Sequence, residues 1–397
     1  MNWGCLNFMN GAVPIVGSAV FVGLLVKKFS KSLMIPCLVA SLYLVSYPVL
    51  SGWTWQPTAL DKFASFFGLA LLFVVYQIFT REIRGYKQVI FYNVILAAII
   101  LCGMGSKEIF WPILASIAFI AGGALLDDFK HWKKIKFFFM PAIVVALVAG
   151  RLFYRILAEG YLMTEHNTSG DPFKNLSDTA RIFFNHPLHV NVPEPIGWAA
   201  IISSIIGGVI IIFATKLNWT SKGLVAALLF SLIVGIGLTS VTSGNAPFYY
   251  IAPVAVFLIL LGICIVKLEK KPWILNVVAV FLVAAILKCG HYGSDFLIKD
   301  NKLSDNFAMT MTEILDSECD YQTLPIVVDT GFNHAGVFIN GTWCSHERVL
   351  KNKTELHCGP KNSKRINYKR AVNESYTFPD RYLYLDKDLK IAKLVCE

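Results

Sequence analysis

Ten apolar stretches in the first 290 residues, joined by loops whose basic residues fall almost entirely on alternate connections, constrain this chain to a bundle of membrane-spanning helices. The stretches lie near 11–26, 33–50, 63–79, 89–104, 109–126, 137–158, 196–215, 223–242, 247–266 and 273–290. Several approach the roughly 20 residues that a helix needs to cross a bilayer. The shorter ones require a thinned membrane or packing by neighbours. The expected fold class is therefore an α-helical polytopic membrane protein of about ten transmembrane helices.

The basic residues give an expected orientation, because Lys and Arg near span ends are retained on the cytoplasmic side. Lys27, Lys28 and Lys31 follow the first span, Arg81, Arg84 and Lys87 the third, and Lys130, Lys133, Lys134 and Lys136 the fifth. Lys216 and Lys222 follow the seventh, and Lys267, Lys270 and Lys271 the ninth. Loops such as Ser51 to Lys62 and Ser243 to Pro247 are nearly free of them. The N-terminus, a long loop over 159–195 and everything after about residue 290 are then expected on the opposite, extracytoplasmic side. This makes residues 1–290 a transmembrane domain interrupted by the 159–195 loop, and 291–397 a small extracytoplasmic α+β domain. Met1 to Asn10 lacks the basic start of a cleavable signal peptide.

The net charge of +10 is not a nucleic-acid signature. Residues 1–290 hold 22 Lys and Arg against 11 Asp and Glu, whereas residues 291–397 hold 14 against 15. The excess thus belongs to the loops of the membrane part and reports topology and attraction to anionic lipid. Gly331 to Gly336 faintly resembles a phosphate loop, but it lacks the Lys-Ser/Thr ending and reads as a turn.

In the tail, Leu303, Phe307, Met311 and Ile314 or Leu315 recur with a helical period, so an amphipathic helix is expected over Asn301 to Leu315. Leu324 to Val328, Gly336 to Ile339 and Tyr382 to Leu385 are expected strands. Cys319, Cys344, Cys358 and Cys396 all fall in this part, where an oxidising compartment permits disulfides, and spacing does not choose among the three pairings. Cys37, Cys102 and Cys264 lie inside spans and read as packing residues; Cys5 and Cys289 are unassigned.

Ionisable residues inside spans are the strongest functional pointers, since an unpaired charge there costs at least a few kcal/mol. Arg151 and Arg155 are four apart in the sixth span, share a helix face and lie toward its outer end. Their planar forks match phosphate oxygens and would grip a lipid-borne phosphate; the alternative is interfacial anchoring. Lys288 ends the tenth span on the same side. Trp53 and Trp55 fit an interfacial belt or a platform for a sugar ring. Outward acids able to serve as a general base are Asp61, Glu108, Glu165 and Glu194, and Arg181 is the one arginine of the long loop. His186 and His189 flank a proline without a carboxylate triad, so no metal and no cofactor are expected. Asp127 and Asp128 read as a solvated helix end.

Asn7 to Leu25, Ser46 to Leu72 with its Tyr47-Pro48 pair and Trp55, and Tyr292 to Asp305 together resemble the serotype-converting O-antigen glucosyltransferases of enteric bacteria and their prophages, the Gtr type. The resemblance implies a GT-C-like glycosyltransferase of the inner membrane with a periplasmic C-terminal domain. Such an enzyme moves glucose from undecaprenyl phosphate glucose to an O-antigen or similar polysaccharide acceptor. Its implied partners are the lipid-linked donor, the acceptor and membrane lipid. Family members carry a further N-terminal span and then an acidic outward loop, and this chain has no acid before Asp61. Either the start is truncated, or the base is Asp61, Glu108 or a residue of the 159–195 loop.

Two other functions stand beside this one. An O-antigen polymerase would show a large outward loop with several arginines, where this loop has only Arg181. A lipid or polysaccharide transporter would show paired broken helices or mid-span acids, and the sequence displays neither. Sequons at Asn167, Asn175, Asn340, Asn352 and Asn373 leave a eukaryotic setting open.

Overall fold

A computed structural model of the chain describes residues 11–54, 59–82, 85–107, 109–158, 176, 179, 183, 194–242, 250–316, 326–328, 382–385 and 390–395. The chain divides into two compact units, Met1–Gly293 and Ser294–Glu397.

The first unit is helical throughout its described elements: α1 (Val13–Lys27), α2 (Met34–Leu44), α3 (Tyr47–Thr54), α4 (Ala59–Thr80), α5 (Tyr86–Met104), α6 (Phe110–Asp127), a 3-10 segment (Phe129–Phe138), α7 (Phe139–Ala158), α8 (Glu194–Ala214), α9 (Trp219–Thr242) and α10 (Ile251–Val266). A final helix, α11 (Pro272–Asp316), supplies its first half to this unit. Among the described residues, six helices are long and apolar enough to cross a bilayer: Leu60–Thr80, Tyr86–Met104, Phe110–Asp127, Glu194–Ala214, Trp219–Ser240 and Pro272–Ser294. The protein is an α-helical membrane protein.

Local chemistry explains where the helices break. The apolar stretch 33–50 divides into α2 and α3 because Pro48 offers no amide hydrogen and its ring crowds the carbonyl of Leu44, the last residue of α2. Ser46 closes the break by donating from its hydroxyl to the Tyr43 carbonyl at 2.7 Å. At the far end of α1, the Lys27 ammonium donates to the carbonyls of Ser30, Lys31 and Ser32 at 3.3, 2.8 and 3.4 Å. Conversely, α11 runs unbroken through the segment expected to form a separate amphipathic helix, because no proline interrupts it between Pro272 and Pro325.

Position in the bundle follows packing. The short helix α10 is buried at every residue from Ile251 to Leu260, and contacts α1, α2, α3, α4, α8 and α9. A helix apolar on all sides is satisfied in the centre of a bundle, where its length need not match the bilayer. Helices α4 and α9 flank it with 67% of each span buried, whereas the first part of α11 has 6% buried and faces outward. Thr179 and Phe183, within the expected outer loop, are also buried. The Phe183 ring meets Tyr250 and Phe257 of the α10 region at centroid distances of 5.9 and 5.7 Å.

One end of the bundle gathers the basic connections. The Lys134 ammonium donates to the carbonyls of Ile78, Phe79 and Arg81 at 2.7, 3.0 and 3.1 Å, and His131 Nδ1 lies 3.0 Å from the Ala124 carbonyl. The Lys134 ammonium thereby covers the electronegative C-terminal end of α4, and the His131 ring lies at that of α6. Burial holds the pKa of Lys134 below its ordinary value; burial and then the nearby Arg81 do the same for Lys28.

Asp127, at this end, is no free helix terminus. Its carboxylate accepts from the backbone amides of Trp219 and Thr220, each at 2.7 Å, and from the Thr220 hydroxyl at 2.6 Å. It therefore satisfies donors that the first turn of α9 cannot pair internally. Asp128 makes a smaller local cap, accepting from the Lys130 amide at 2.8 Å. Asp127→Ala is expected to cost about 1–3 kcal/mol, with Asp128→Ala costing less. Equal thermal midpoints for wild type and Asp127→Ala in detergent would remove the capping role.

In the second unit, β1 (Ile326–Val328), β2 (Tyr382–Leu385) and β3 (Ile391–Val395) form a sheet in the order β1-β2-β3. β1 runs parallel to β2, with Ile326 opposite Leu383, and β2 is antiparallel to β3, with Leu383 opposite Leu394. Two of the three expected strands are present and β3 is additional. Gly336 to Ile339 and Cys319, Cys344, Cys358 and Cys396 lie outside the described residues.

Candidate functional site

The end of α4 remote from the basic loops carries the most concentrated charge chemistry among the described spans. Asp61 stands in the first turn of α4, where the aligned peptide dipoles favour a carboxylate. It is 5% exposed. The Lys107 ammonium, from the turn between α5 and α6, lies 3.3 Å from Asp61 Oδ1 and 3.4 Å from Oδ2. The next residue, Lys62, is 2% exposed and close enough to Asp61 for their charges to interact. A carboxylate and two ammonium groups thus share a largely desolvated corner with a net positive charge.

Three hydroxyls lie deeper on the same side of the fold. Ser65 is one helical turn from Asp61 and Lys62, and its hydroxyl and that of Ser18 on α1 each lie near the Tyr43 hydroxyl of α2. All three residues are fully buried, and none of these oxygens has a hydrogen-bond partner in suitable geometry. Further along α4, both amide atoms of the buried Gln77 are also unpartnered, while Tyr76 shares a 2.9 Å hydrogen bond with Ser221. Polar groups therefore recur along α4 from one end to the other. Among the described residues, no three of His, Cys, Asp and Glu converge closely enough to hold a metal ion.

The expected arginine grip is elsewhere. Arg151 is exposed on α7, which packs on α5 and on the 3-10 segment, and it forms no ion pair among the described residues. Arg155 follows one turn later on α7; its side chain lies outside the described residues. Lys288 is exposed on α11. Asp61 and Arg151 stand on helices that do not pack together substantially, so the structure does not bring them into one described contact. Trp55, Glu108, Glu165 and Arg181 lie outside the described residues.

Sequence reasoning missed the two lysines. Placing the start of the span at residue 63 left Lys62 as a loop residue, whereas α4 begins at Ala59 and draws Lys62 into its buried first turn. Lys107 is 46 residues from Asp61, and only folding reveals that pair. Set against protein families, curated proteins and solved structures, the chain matches none.

Proposed function

We propose that this protein is a membrane glycosyltransferase that moves a sugar, glucose in the first instance, from a polyprenyl-phosphate donor to a polysaccharide acceptor. In this reading it is a GT-C-like enzyme of a bacterial inner membrane, the Asp61 end of the bundle is periplasmic, and so is the C-terminal unit. The supporting observation is the buried Asp61 carboxylate paired with Lys107, with the buried Lys62 next to it on α4. Glycosyl transfer needs these two kinds of group. A carboxylate takes the proton from the acceptor hydroxyl as its oxygen attacks the anomeric carbon, and cations stabilise the phosphate as its bond to that carbon breaks. Asp61 is the base, Lys107 and Lys62 face the leaving phosphate, and Arg151, exposed on α7, engages the donor as it approaches through the membrane.

The test uses the full chain in proteoliposomes with undecaprenyl phosphate glucose and an O-antigen acceptor. Asp61→Asn should lower transfer at least about 100-fold, and the Arg151→Gln, Arg155→Gln double variant should impair it at unchanged protein level. Transfer by Asp61→Asn at the wild-type rate would overturn the assignment.

Transport is a second reading, favoured by the unpartnered buried groups Ser18, Tyr43, Ser65 and Gln77 along the first helices. Lipid-linked saccharide movement across sealed vesicles, without any change in covalent linkage, would select it.

A further inference from the structure

The 3-10 segment Phe129–Phe138 is ten residues long, where runs beyond about four are uncommon. Its sequence suits that geometry. With three residues per turn, side chains three apart eclipse, and the segment sorts into three ridges. His131, Lys134 and Phe137 turn inward: the first two meet the ends of α6 and α4, and Phe137 is 1% exposed. Phe129, Trp132 and Ile135 form a second ridge, exposed by 75, 54 and 70%. Lys130, Lys133 and Lys136 form a third, also exposed and without an ion pair among the described residues. Beside it an open cavity of about 420 Å³ lies between the start of α5 and the start of α7. Lys136 and Asn93 border it, and Ile90, Val94 and Met140 continue it as an apolar wall. The polar edge is rigid: Asn93 donates to the Lys136 carbonyl at 2.9 Å and accepts from the Met140 amide at 3.2 Å.

We propose that this segment is an anionic phospholipid site at the membrane surface, with the Lys130, Lys133 and Lys136 ridge reading headgroup phosphate, the Phe129, Trp132 and Ile135 ridge seated among acyl chains, and one chain lying in the adjoining cavity. Charge complementarity selects this occupant. Three exposed ammonium groups without an ion pair among the described residues, parallel to three exposed large apolar side chains, match an anionic lipid surface, which offers both chemistries in layers. An acidic soluble protein would satisfy only the lysine ridge and leave the apolar ridge in water.

The test is fluorescence anisotropy of full-length protein in dodecylmaltoside, titrated against fluorescent phosphatidylglycerol and, separately, fluorescent phosphatidylcholine. Phosphatidylglycerol should bind saturably and phosphatidylcholine much more weakly. Changing Lys130, Lys133 and Lys136 together to Gln should weaken phosphatidylglycerol binding by about two orders of magnitude. The Trp132→Ser, Ile135→Ser pair should weaken it as well. Changing Lys267, Lys270 and Lys271 to Gln removes the same charge elsewhere and should leave binding nearly unchanged. All five altered ridge positions are exposed, and elution as a single species checks that each variant is folded. Equal binding of the two lipids, or full phosphatidylglycerol binding by the triple Gln variant, overturns the proposal. Displacement of the fluorescent lipid by a poly-glutamate peptide or by inorganic phosphate as effectively as by unlabelled phosphatidylglycerol overturns it too, because the lysines would then be reading charge alone.

Discussion

Gly123→Ala should cost the protein its folded bundle, while Gly122→Ala one residue away should be tolerated. A β-carbon at Gly123 would stand 2.2 Å from the Trp219 carbonyl oxygen and 2.8 Å from its carbon. From the other side, one at Gly223 would stand 2.3 Å from the Phe119 oxygen. These obstacles are backbone atoms, so no rotamer change clears them, and α6 and α9 must separate. Separation would also pull the Trp219 and Thr220 amides away from Asp127, coupling the packing defect to loss of the cap. Ordinary overpacking costs about 1–3 kcal/mol, and a forced separation of two backbones should exceed that range. An added β-carbon at Gly122 meets nothing within 4 Å. Size-exclusion profiles and thermal midpoints in detergent give the comparison; indistinguishable behaviour of the two variants would show that α6 and α9 do not meet through these glycines.

Asp61→Asn should destabilise the protein more than Lys107→Gln does. Removing the carboxylate charge leaves Lys62 in a nearly inaccessible position without its neighbouring anion, whereas removing Lys107 leaves Asp61 with Lys62 still beside it. Breaking a buried pair typically costs about 3–5 kcal/mol, mostly through the charge left behind. Lys107, with 21% of its side chain exposed, recovers part of its hydration when Asp61 is neutralised; Lys62 cannot. Thermal midpoints at constant detergent decide the order, and the reverse order would show that Lys62 is not held by Asp61. This measurement is separate from glycosyl transfer: loss of transfer in a stable Asp61→Asn protein assigns the defect to the chemistry, and loss in an unstable one assigns it to the ion pair.

The membrane class, most of the apolar helices and the clustering of basic loops were legible in the order of residues, because hydropathy over about 20 positions and the placement of Lys and Arg are local properties. The strand at Tyr382–Leu385 belongs to the same category, whereas the stretch 33–50 reads as one span and divides at Pro48. The roles of single residues were not. Asp127 and Asp128 look alike in the chain, yet one caps a helix 92 residues away and the other its own turn. Asp61 reads as an outward acid, but its ion-pair partner Lys107 comes from a turn beyond α5, and its neighbour Lys62 is buried in the first turn of the same helix. The ridges of 129–138 are written in a period of three, which neither a 3.6-residue nor a 2-residue search detects.

Burial was the least legible property of all. α10 and the first part of α11 are both apolar stretches, yet one is the centre of the bundle and the other its periphery. Lipid tails are as apolar as leucine, so hydropathy drives both segments into the membrane without distinguishing a neighbour helix from a lipid. The sequence by itself determined that these helices enter the bilayer and which ends carry the cations. Which faces meet was decided by the tertiary structure, through close contacts such as Gly123 with Trp219, which depend on shape across distant segments.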